Sequence, residues 1–145
     1  MNCPEREGKG MDYTTVPTIC PYCGCGCGLL LEVLDGEVVG TLPQKDHPLN
    51  QGALCIKGWS AHEFIHDRGR LKRPLLKKGK ELRGISWEEA FQYATSHLRR
   101  IKEENGPESI AGLASAKCSN EENYIFQKWI RAGIGTNNVD HCARL

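Results

Sequence analysis

Four cysteines at characteristic spacings are the residues of this 145-residue chain best suited to chemistry. Cys20, Cys23 and Cys27 lie in one glycine-rich run, and Cys55 follows 28 positions after the third. Such short gaps allow one tight turn to present three thiolates, and a distant cysteine then completes a tetrahedral set. The intervening glycines permit positive φ angles and let backbone N–H groups approach sulfur. The pattern predicts an iron–sulfur site, which would transfer electrons.

Three other uses of these cysteines compete with a cluster. A zinc ribbon also contains Cys-x-x-Cys pairs, but it usually has two of them, and Cys55 has no partner two or three residues away. The radical-SAM pattern has its two short gaps in the reverse order. Unligated cysteines in a glycine loop are the third alternative. Among these, the spacing favours a [4Fe–4S] cluster.

Charge and composition exclude several classes of protein. The chain has 19 Lys and Arg against 18 Asp and Glu, a net charge of +1, which argues against charge-driven binding to nucleic acid or to a membrane surface. A hydrophobic content of 39% and a mean hydropathy of −0.47 are typical of a globular protein. Eight cysteines in a reducing compartment indicate metal or redox chemistry rather than disulfides. Cys3 and Cys25 are expected not to be ligands of the iron–sulfur site.

The sequence contains no recognisable targeting or membrane segment. No apolar stretch approaches the roughly 18–20 residues that cross a bilayer. The first twenty residues carry acidic side chains and lack both an apolar h-region and a twin-arginine pair. We therefore expect a cytoplasmic protein without a membrane span. Residues 1–12 are expected to form a disordered lead-in to the first domain.

Short elements are expected to hold the cysteines in place. Residues 29–34 and 37–40 flank an Asp-Gly pair, which favours a type I′ turn and therefore predicts a β-hairpin directly after the cysteine run. A short helix is predicted over residues 59–67. The basic stretch 68–80 is interpreted as an extended surface connection, because it is interrupted by proline.

The second half of the chain predicts the start of an α/β layer. Ser86 and Glu89 form a capping box that opens a helix over residues 87–104. A buried strand is predicted over residues 109–114, and a second capping box opens a helix over 119–132. The first helix has one apolar face at helical spacing, which consists of Trp87, Ala90, Phe91, Ala94, Leu98 and Ile101.

Several runs of sequence resemble the molybdopterin oxidoreductases. Cys-Pro-Tyr-Cys-Gly-Cys-Gly-Cys-Gly at 20–28, followed by Gly-Ala-Leu-Cys-Ile-Lys-Gly-Trp at 52–59, is similar to the N-terminal cluster domain of that superfamily. The runs at 115–124 and 135–145 are similar to the catalytic subunits of its formate dehydrogenases. The resemblance covers residues 13–145, with the motifs in the expected order.

The resemblance implies an α+β fold with two parts. A small β-rich [4Fe–4S] domain is expected over residues 13–70. The beginning of an α/β pterin-binding domain is expected over residues 71–145, where it is incomplete. The implied cofactors are a [4Fe–4S] cluster and, in the full-length protein, a molybdopterin guanine dinucleotide with molybdenum or tungsten.

The resemblance also assigns residues to these cofactors. Cys25 falls where the family usually has a residue that does not bind the cluster. Lys57 matches the family lysine between cluster and pterin and is interpreted as an electron relay, with an ordinary surface lysine as the alternative. The implied cluster ligands are Cys20, Cys23, Cys27 and Cys55. The residues expected to bind the pterin cofactor are Lys117, Asn120, Glu121 and Asn138.

Some of these residues have a simpler interpretation as structural residues. The Ser119 cap and the asparagine-rich loop before Asp140 are compatible with either role. Cys118 is interpreted as a packed small residue rather than a ligand. His141 and Cys142 are interpreted as structural.

In formate dehydrogenases, the cysteine or selenocysteine that binds molybdenum or tungsten directly follows the motif that ends here with Leu145. The resemblance implies that this ligand belongs at position 146. We expect an in-frame UGA selenocysteine codon there, read as a stop in the deduced chain. The DNA beyond codon 145 tests this expectation, which a UAA or UAG codon, or the lack of a resuming pterin-domain frame, would contradict. Without the ligand, the 145-residue chain alone is expected to be inactive.

Three functions are compatible with these features. The first is the N-terminal part of a formate dehydrogenase catalytic subunit, which would pass two electrons from formate through the cluster to an iron–sulfur or flavin subunit. The second is a free-standing [4Fe–4S] electron carrier with no substrate chemistry. The third is another enzyme of the superfamily, such as a nitrate reductase or a formylmethanofuran dehydrogenase. The Asn-Asn-Val-Asp-His-Cys-Ala-Arg run favours formate.

Overall fold

A computed structural model describes residues 10–142 of the chain. Residues 1–9, which include Cys3 and most of the expected lead-in, and residues 143–145 lie outside the described part. The chain divides into two compact units. The first contains residues 10–21 and 25–67, and the second contains residues 22–24 and 68–142. The mixture of short sheets and helices confirms the predicted α+β class.

The first unit is built on a three-stranded antiparallel sheet in the order β1-β2-β3. Its strands are β1 (Tyr13–Ile19), β2 (Gly28–Leu34) and β3 (Glu37–Pro43). The predicted hairpin is confirmed, because Asp35 and Gly36 have φ angles of 50° and 84°, as the two central residues of a type I′ turn require. The sequence analysis missed β1, an exposed edge strand whose side chains show no apolar alternation.

A short helix, α1 (Ile56–Trp59), directly follows Cys55, and a 3₁₀ turn spans Glu63–His66. The predicted helix over 59–67 therefore begins three residues too late and is divided in two. The buried Thr41 of β3 fixes this region, since its Oγ1 lies 3.1 Å from the Trp59 carbonyl oxygen and 2.6 Å from His62 Nδ1. These contacts hold the end of α1 against the sheet.

The second unit begins with a hairpin that the sequence analysis did not predict. Strands β4 (Leu75–Lys78) and β5 (Glu81–Gly84) pair antiparallel across a turn in which Gly79 has a φ of 66°. The prediction of a structureless connection over residues 68–80 is therefore wrong for β4. The basic side chains conceal the strand, because all but one of its residues are exposed and no apolar alternation is visible.

The two longer helices begin where the capping residues predicted. Helix α2 (Trp87–Asn105) starts after Ser86, whose Oγ accepts the Glu89 N–H at 3.1 Å. Helix α3 (Asn120–Lys128) starts after Ser119, which forms both bonds of the capping box with Glu122, at 3.2 Å and 2.7 Å. A π-helical turn continues α3 over Trp129–Ile134 and ends at Gly135, which has a φ of 94°.

Two short parallel strands complete the second unit. Strand β6 (Gly112–Ala114) pairs with β7 (Val139–His141), so the chain forms a β-α-β unit around α3. The core beside these strands consists of Ile110, Ile130 and Ile134, with Leu98, Ile101, Phe126 and Val139 packed against them. Gly112 allows this packing, because a Cβ at that position would lie 2.8 Å from Ile130 Cγ1.

Only the C-terminal half of the apolar face of α2 packs against this core, where it is partly buried. Leu98 and Ile101 pack there, whereas Trp87 and Phe91 are 58% and 63% exposed. Within the described residues, none of the helices combines the length and apolarity needed to cross a bilayer.

Candidate functional site

The first three predicted cluster ligands lie in the loop between β1 and β2. Cys20 is buried at the end of β1, and its backbone N–H donates to the carbonyl oxygen of Cys27 at 2.8 Å. This bond closes the loop and brings the backbone of the first and third cysteines together. Gly26 within the loop has a φ of 63°, a conformation that residues with a Cβ rarely adopt.

Cys55, the fourth predicted ligand, is exposed at the start of α1. The backbone N–H of Gly58, and then that of Lys57, lower the pKa of the Cys55 thiol, and the positive charge of Lys57 acts in the same direction. A lowered pKa favours the thiolate, which is the form that binds iron. The local backbone therefore prepares Cys55 as a ligand, and Lys57 lies in the same turn.

The segment after Cys27 and the segment before Cys55 meet at the side chain of Asn50. Its Oδ1 accepts the N–H of Gly28 at 2.9 Å, and its Nδ2 donates to the carbonyl oxygens of Gly28 at 3.1 Å and Ala53 at 2.9 Å. The imidazole of His47 also lies against Gly28, where a Cβ would clash with the ring. The close contacts therefore require glycine at position 28.

Cys23 is partly buried and belongs to the second unit together with Gly24. The Asn120 amide donates to the Gly24 carbonyl oxygen at 2.9 Å, and its Oδ1 lies 2.7 Å from the position that a Cβ of residue 24 would take. The first residue of α3 is thus fixed against the peptide that follows Cys23. Asn120, predicted to bind the pterin cofactor, uses its amide for this contact.

The four predicted ligands are not gathered into one closed set. Across residues 10–142, no three Cys, His, Asp or Glu side chains lie close enough to form a metal-binding group. None of the seven cysteines in this range forms a disulfide; Cys25 is exposed and Cys118 is half-buried. The ligand assignment therefore stays a prediction from spacing and resemblance.

The other residues predicted to bind the pterin cofactor lie at two places in the second unit. Lys117 precedes α3, and its backbone N–H donates to Ser115 Oγ at 3.0 Å. Glu121 is exposed in the first turn of α3. Asn138 instead binds the turn at Pro107–Ser109, because its Nδ2 donates to the carbonyl oxygen of Glu108 at 3.0 Å.

A cleft of about 450 Å³ opens within the second unit at the carboxyl ends of β6 and β7. In α/β sheets, ligands bind at this edge of parallel strands. The volume falls within the range of small-molecule sites. The cleft is lined by Gly24, Ala114, Ser115, Ala116, Asn123, Gln127, Val139, Asp140 and His141.

Cys142 lies at the same edge of the strands, directly after β7. Its Sγ accepts the Ala116 N–H at 3.4 Å and lies 3.7 Å from Ser115 Oγ. The Ala116 N–H contributes most to lowering the pKa of the Cys142 thiol, followed by the Ser115 hydroxyl, and the charge of Lys117 adds to them. This thiol is therefore more readily deprotonated than an ordinary cysteine.

We expect Cys142 to be alkylated several-fold faster at pH 7 than the cysteine of a short unstructured peptide with the same neighbours. Alkylation requires the thiolate, and a lowered pKa extends the thiolate population to lower pH. In Ser115→Ala the pH at half-maximal rate should rise toward the ordinary thiol value, whereas Ser109→Ala should leave it unchanged. Peptide mapping after iodoacetamide treatment measures both rates. Equal pH profiles for protein and peptide would contradict this assignment.

The sequence analysis missed three features of the site. The role of Asn50 could not be predicted, because Asn50 lies outside the recognised motifs and its partner Gly28 is 22 positions away in the sequence. Its other partner, Ala53, is 3 positions away. Cys142 was interpreted as structural, because β7 was not recognised as a strand. The position of the cleft was also not predicted. It could have been predicted only if β6 and β7 had been recognised as a parallel pair, because ligands bind at the carboxyl ends of parallel strands.

The donor groups of this chain suit the two cofactors that the motifs suggested, although the four predicted thiols are not gathered around one centre. Four reduced thiols, a glycine loop with positive φ and a thiol with a lowered pKa match the needs of an iron–sulfur cluster. A cleft with backbone and polar groups at the ends of parallel strands matches the needs of a nucleotide-linked pterin.

Comparison with known proteins gives relatives that match nearly the whole chain. The F420-dependent formate dehydrogenase 1 subunit alpha of Methanococcus maripaludis is 51% identical over 135 residues, which cover 93% of this chain and 19% of that protein. The corresponding subunit of Methanocaldococcus jannaschii is 47% identical with the same coverage. A probable oxidoreductase of Bacillus subtilis is 40% identical over 88% of this chain and 13% of its own length. The chain thus spans less than a fifth of these relatives.

Two family models match adjoining parts of the chain. The molybdopterin oxidoreductase Fe4S4 domain matches residues 13–67, and the molybdopterin oxidoreductase family matches residues 70–145. The cofactors of this family are a [4Fe–4S] cluster and molybdopterin, in agreement with the predicted pair. Because the two matches together cover residues 13–145 with a single gap at 68–69, the protein belongs to the molybdopterin oxidoreductases and contains their Fe4S4 domain.

Proposed function

We propose that this chain is the cluster-bearing part of a formate dehydrogenase catalytic subunit. In the proposed reaction formate loses one proton and two electrons to become CO2, and the electrons leave through the [4Fe–4S] cluster. The observation that carries this proposal is the likeness to formate dehydrogenase alpha subunits, which extends at 51% and 47% identity through both the cysteine loop and the strands around the cleft.

In this proposal the cluster is bound by Cys20, Cys23, Cys27 and Cys55. The closed loop between Cys20 and Cys27 supports the placement of two ligands on one side. The lowered pKa of Cys55 supports a thiolate ligand on the other. Lys57 then acts as the electron relay, because an ammonium group beside the cluster would stabilise the electron that arrives there. Its charge already acts on the Cys55 sulfur.

The cleft of the second unit is the proposed place for the pterin cofactor. Bound there, molybdopterin with molybdenum or tungsten supplies the two-electron redox centre. Lys117 can neutralise phosphate charge, and its backbone is fixed by Ser115. Asn120, Glu121 and Asn138 do not line the cleft itself, and they are proposed as contacts for the parts of the cofactor that extend beyond it. The backbone of Asn138 is fixed by Thr136, whose Oγ1 accepts its N–H at 3.2 Å.

The remaining parts of the proposal concern the surroundings of the subunit. We place the domain boundary at residues 70–71, with the cluster domain over 13–70 and the pterin-binding domain over 71–145. An iron–sulfur or flavin subunit would take the electrons, in the cytoplasm. Since the relatives from Methanococcus maripaludis and Methanocaldococcus jannaschii are named F420-dependent, coenzyme F420 is the proposed final electron acceptor.

Formate-dependent reduction of the cluster tests this function. The full-length subunit that contains this chain is purified anaerobically with its cofactors, and the reduced cluster is followed by EPR after formate is added, with dithionite as the chemical reductant for comparison. We expect both to produce the signal. A signal with dithionite but none with formate would instead support a free-standing electron carrier. The absence of any cluster signal would overturn the assignment of the cysteines as well.

Lys57→Ala separates the proposed relay from a surface lysine. We expect formate to reduce the cluster of this variant more slowly, while dithionite reduces it as in the unmodified protein. Lys80→Ala, which removes an exposed lysine from the turn between β4 and β5, is the matched control. Unchanged reduction by formate in Lys57→Ala would show that the lysine has no part in electron transfer.

A further inference from the structure

One side chain in the first unit bridges the two segments that carry cluster ligands. Asn50 makes three hydrogen bonds through its carboxamide, and all three partners are backbone groups. Two of them are the N–H and the carbonyl oxygen of Gly28, so the amide pairs with that residue as a neighbouring strand would. The third is the carbonyl oxygen of Ala53.

The partners of Asn50 lie next to the residues predicted to bind the cluster. Gly28 directly follows Cys27, whose carbonyl oxygen accepts the N–H of Cys20. Ala53 lies two residues before Cys55. Asn50 therefore joins the loop that closes on Cys20 and Cys27 to the segment that leads into Cys55.

The backbone around Asn50 keeps its side chain in this position. Gln51 and Gly52 have φ angles of 44° and 83°, which reverse the chain directly after Asn50. The turn is closed by the Ala53 N–H, which donates to the Asn50 carbonyl oxygen at 2.7 Å. A non-glycine residue with positive φ is uncommon, and such a conformation persists only where the surroundings enforce it.

We propose that Asn50 is a positioning residue of the cluster site, which sets the separation between the Cys27 and Cys55 ligands through its bonds to Gly28 and Ala53. This inference rests on the proposed function in one respect, the assignment of these cysteines to the cluster. Partners that orient metal ligands affect metal retention strongly, since their replacement typically lowers metal affinity by about 10- to 100-fold.

The chemistry of the carboxamide predicts which replacement is tolerated. Asn50→Asp keeps the size of the side chain and the acceptor for the Gly28 N–H. It removes both N–H donors and places a carboxylate oxygen against the carbonyl oxygens of Gly28 and Ala53, where like partial charges repel. If the bridge to both segments matters, Asn50→Asp should fail as Asn50→Ala does. If only the Gly28 N–H needs an acceptor, Asn50→Asp should behave as the unmodified protein.

The experiment measures how fast the anaerobically purified protein loses its iron to a chelator. We expect roughly tenfold faster loss in both Asn50→Ala and Asn50→Asp, at the lower end of the range for such partners. The midpoint potential of the cluster, followed by EPR titration, should shift in both variants, which a general loss of stability would not cause. Far-UV circular dichroism confirms that the variants remain folded.

Two further variants serve as controls. Asn105→Ala removes an amide hydrogen bond of the same kind, from Nδ2 to the Ile101 carbonyl oxygen at the end of α2, and should leave iron loss unchanged. His47→Ala removes the second side-chain acceptor of the Gly28 N–H, but it leaves the bridge to Ala53 and should have the smaller effect.

The outcomes separate this inference from the function on which it rests. Iron loss and potential that stay unchanged in both Asn50 variants would overturn the positioning role, and so would an equal effect of His47→Ala. If an Asn50 variant does not fold, hydrogen exchange of the Gly28 amide is compared between His47→Ala and the unmodified protein. Equal protection would show that Asn50 alone holds this amide, as the positioning role requires. Loss of protection in His47→Ala would contradict that role. A protein that takes up no cluster before any substitution would overturn the proposed function itself.

Discussion

Cys55→Ala is expected to abolish the [4Fe–4S] cluster, with the iron content falling from about four atoms per chain to nearly none. Loss of this thiolate leaves one iron of the cubane without a protein ligand and open to water, which favours loss of that iron and then of the cluster. Across residues 10–142, no other thiol follows α1 closely enough to replace Cys55. Cys55 is the most informative of the four ligands to replace, because it is exposed and its loss removes little packing. Iron analysis and EPR of the dithionite-reduced protein measure the effect.

The matched control for this loss lies in the same cysteine-rich loop. Cys25→Ala should retain the cluster, because Cys25 is exposed and lies outside the spacing pattern. Cys20→Ala should behave as Cys55→Ala does. Loss of the cluster in Cys25→Ala would show that the ligand set is wrong, and retention in Cys55→Ala would show that the fourth ligand is another residue.

Ile130→Ala is expected to destabilise the second unit by about 2–5 kcal/mol, the usual cost of removing a large buried aliphatic side chain. Ile130 is only 2% exposed and packs with Ile110 and Ile134 beneath β6. Its truncation would leave a cavity next to Gly112, which has no side chain to fill it. Denaturant unfolding followed by circular dichroism measures the loss.

The control for Ile130 comes from the preceding helix. Ile125 has the same side chain but is 63% exposed, so Ile125→Ala should change the free energy of unfolding by less than about 0.5 kcal/mol. Equal effects of the two substitutions would mean that the core beneath β6 does not stabilise the unit. A large effect of Ile130→Ala should also disturb the cleft, because β6 provides part of its lining.

The features that depend on near neighbours could be predicted from the sequence. The Asp35-Gly36 turn and the capping box at Ser119 are formed as expected, because each involves groups at most three residues apart. At Ser86 only one half of the predicted box is formed, the bond from the Glu89 N–H to the Ser86 hydroxyl. The spacing of the four cysteines led to the Fe4S4 family in the same way, since the loop geometry is local. The hairpin of β4 and β5 was missed because both strands are exposed and basic side chains hide their pattern.

The iron–sulfur motif, the α+β class and the starts of the main helices could all be predicted before the fold was known. The parallel pairing of β7 with β6 is seen only in the folded protein. It places Cys142 beside Ser115 and Ala116, which lie 27 and 26 positions earlier in the sequence. The tertiary structure also decided that Asn50 bridges Gly28 and Ala53 across the ligand segments. The physical reason is that helix caps and turns are fixed by adjacent residues, whereas these contacts arise only after distant segments have packed together.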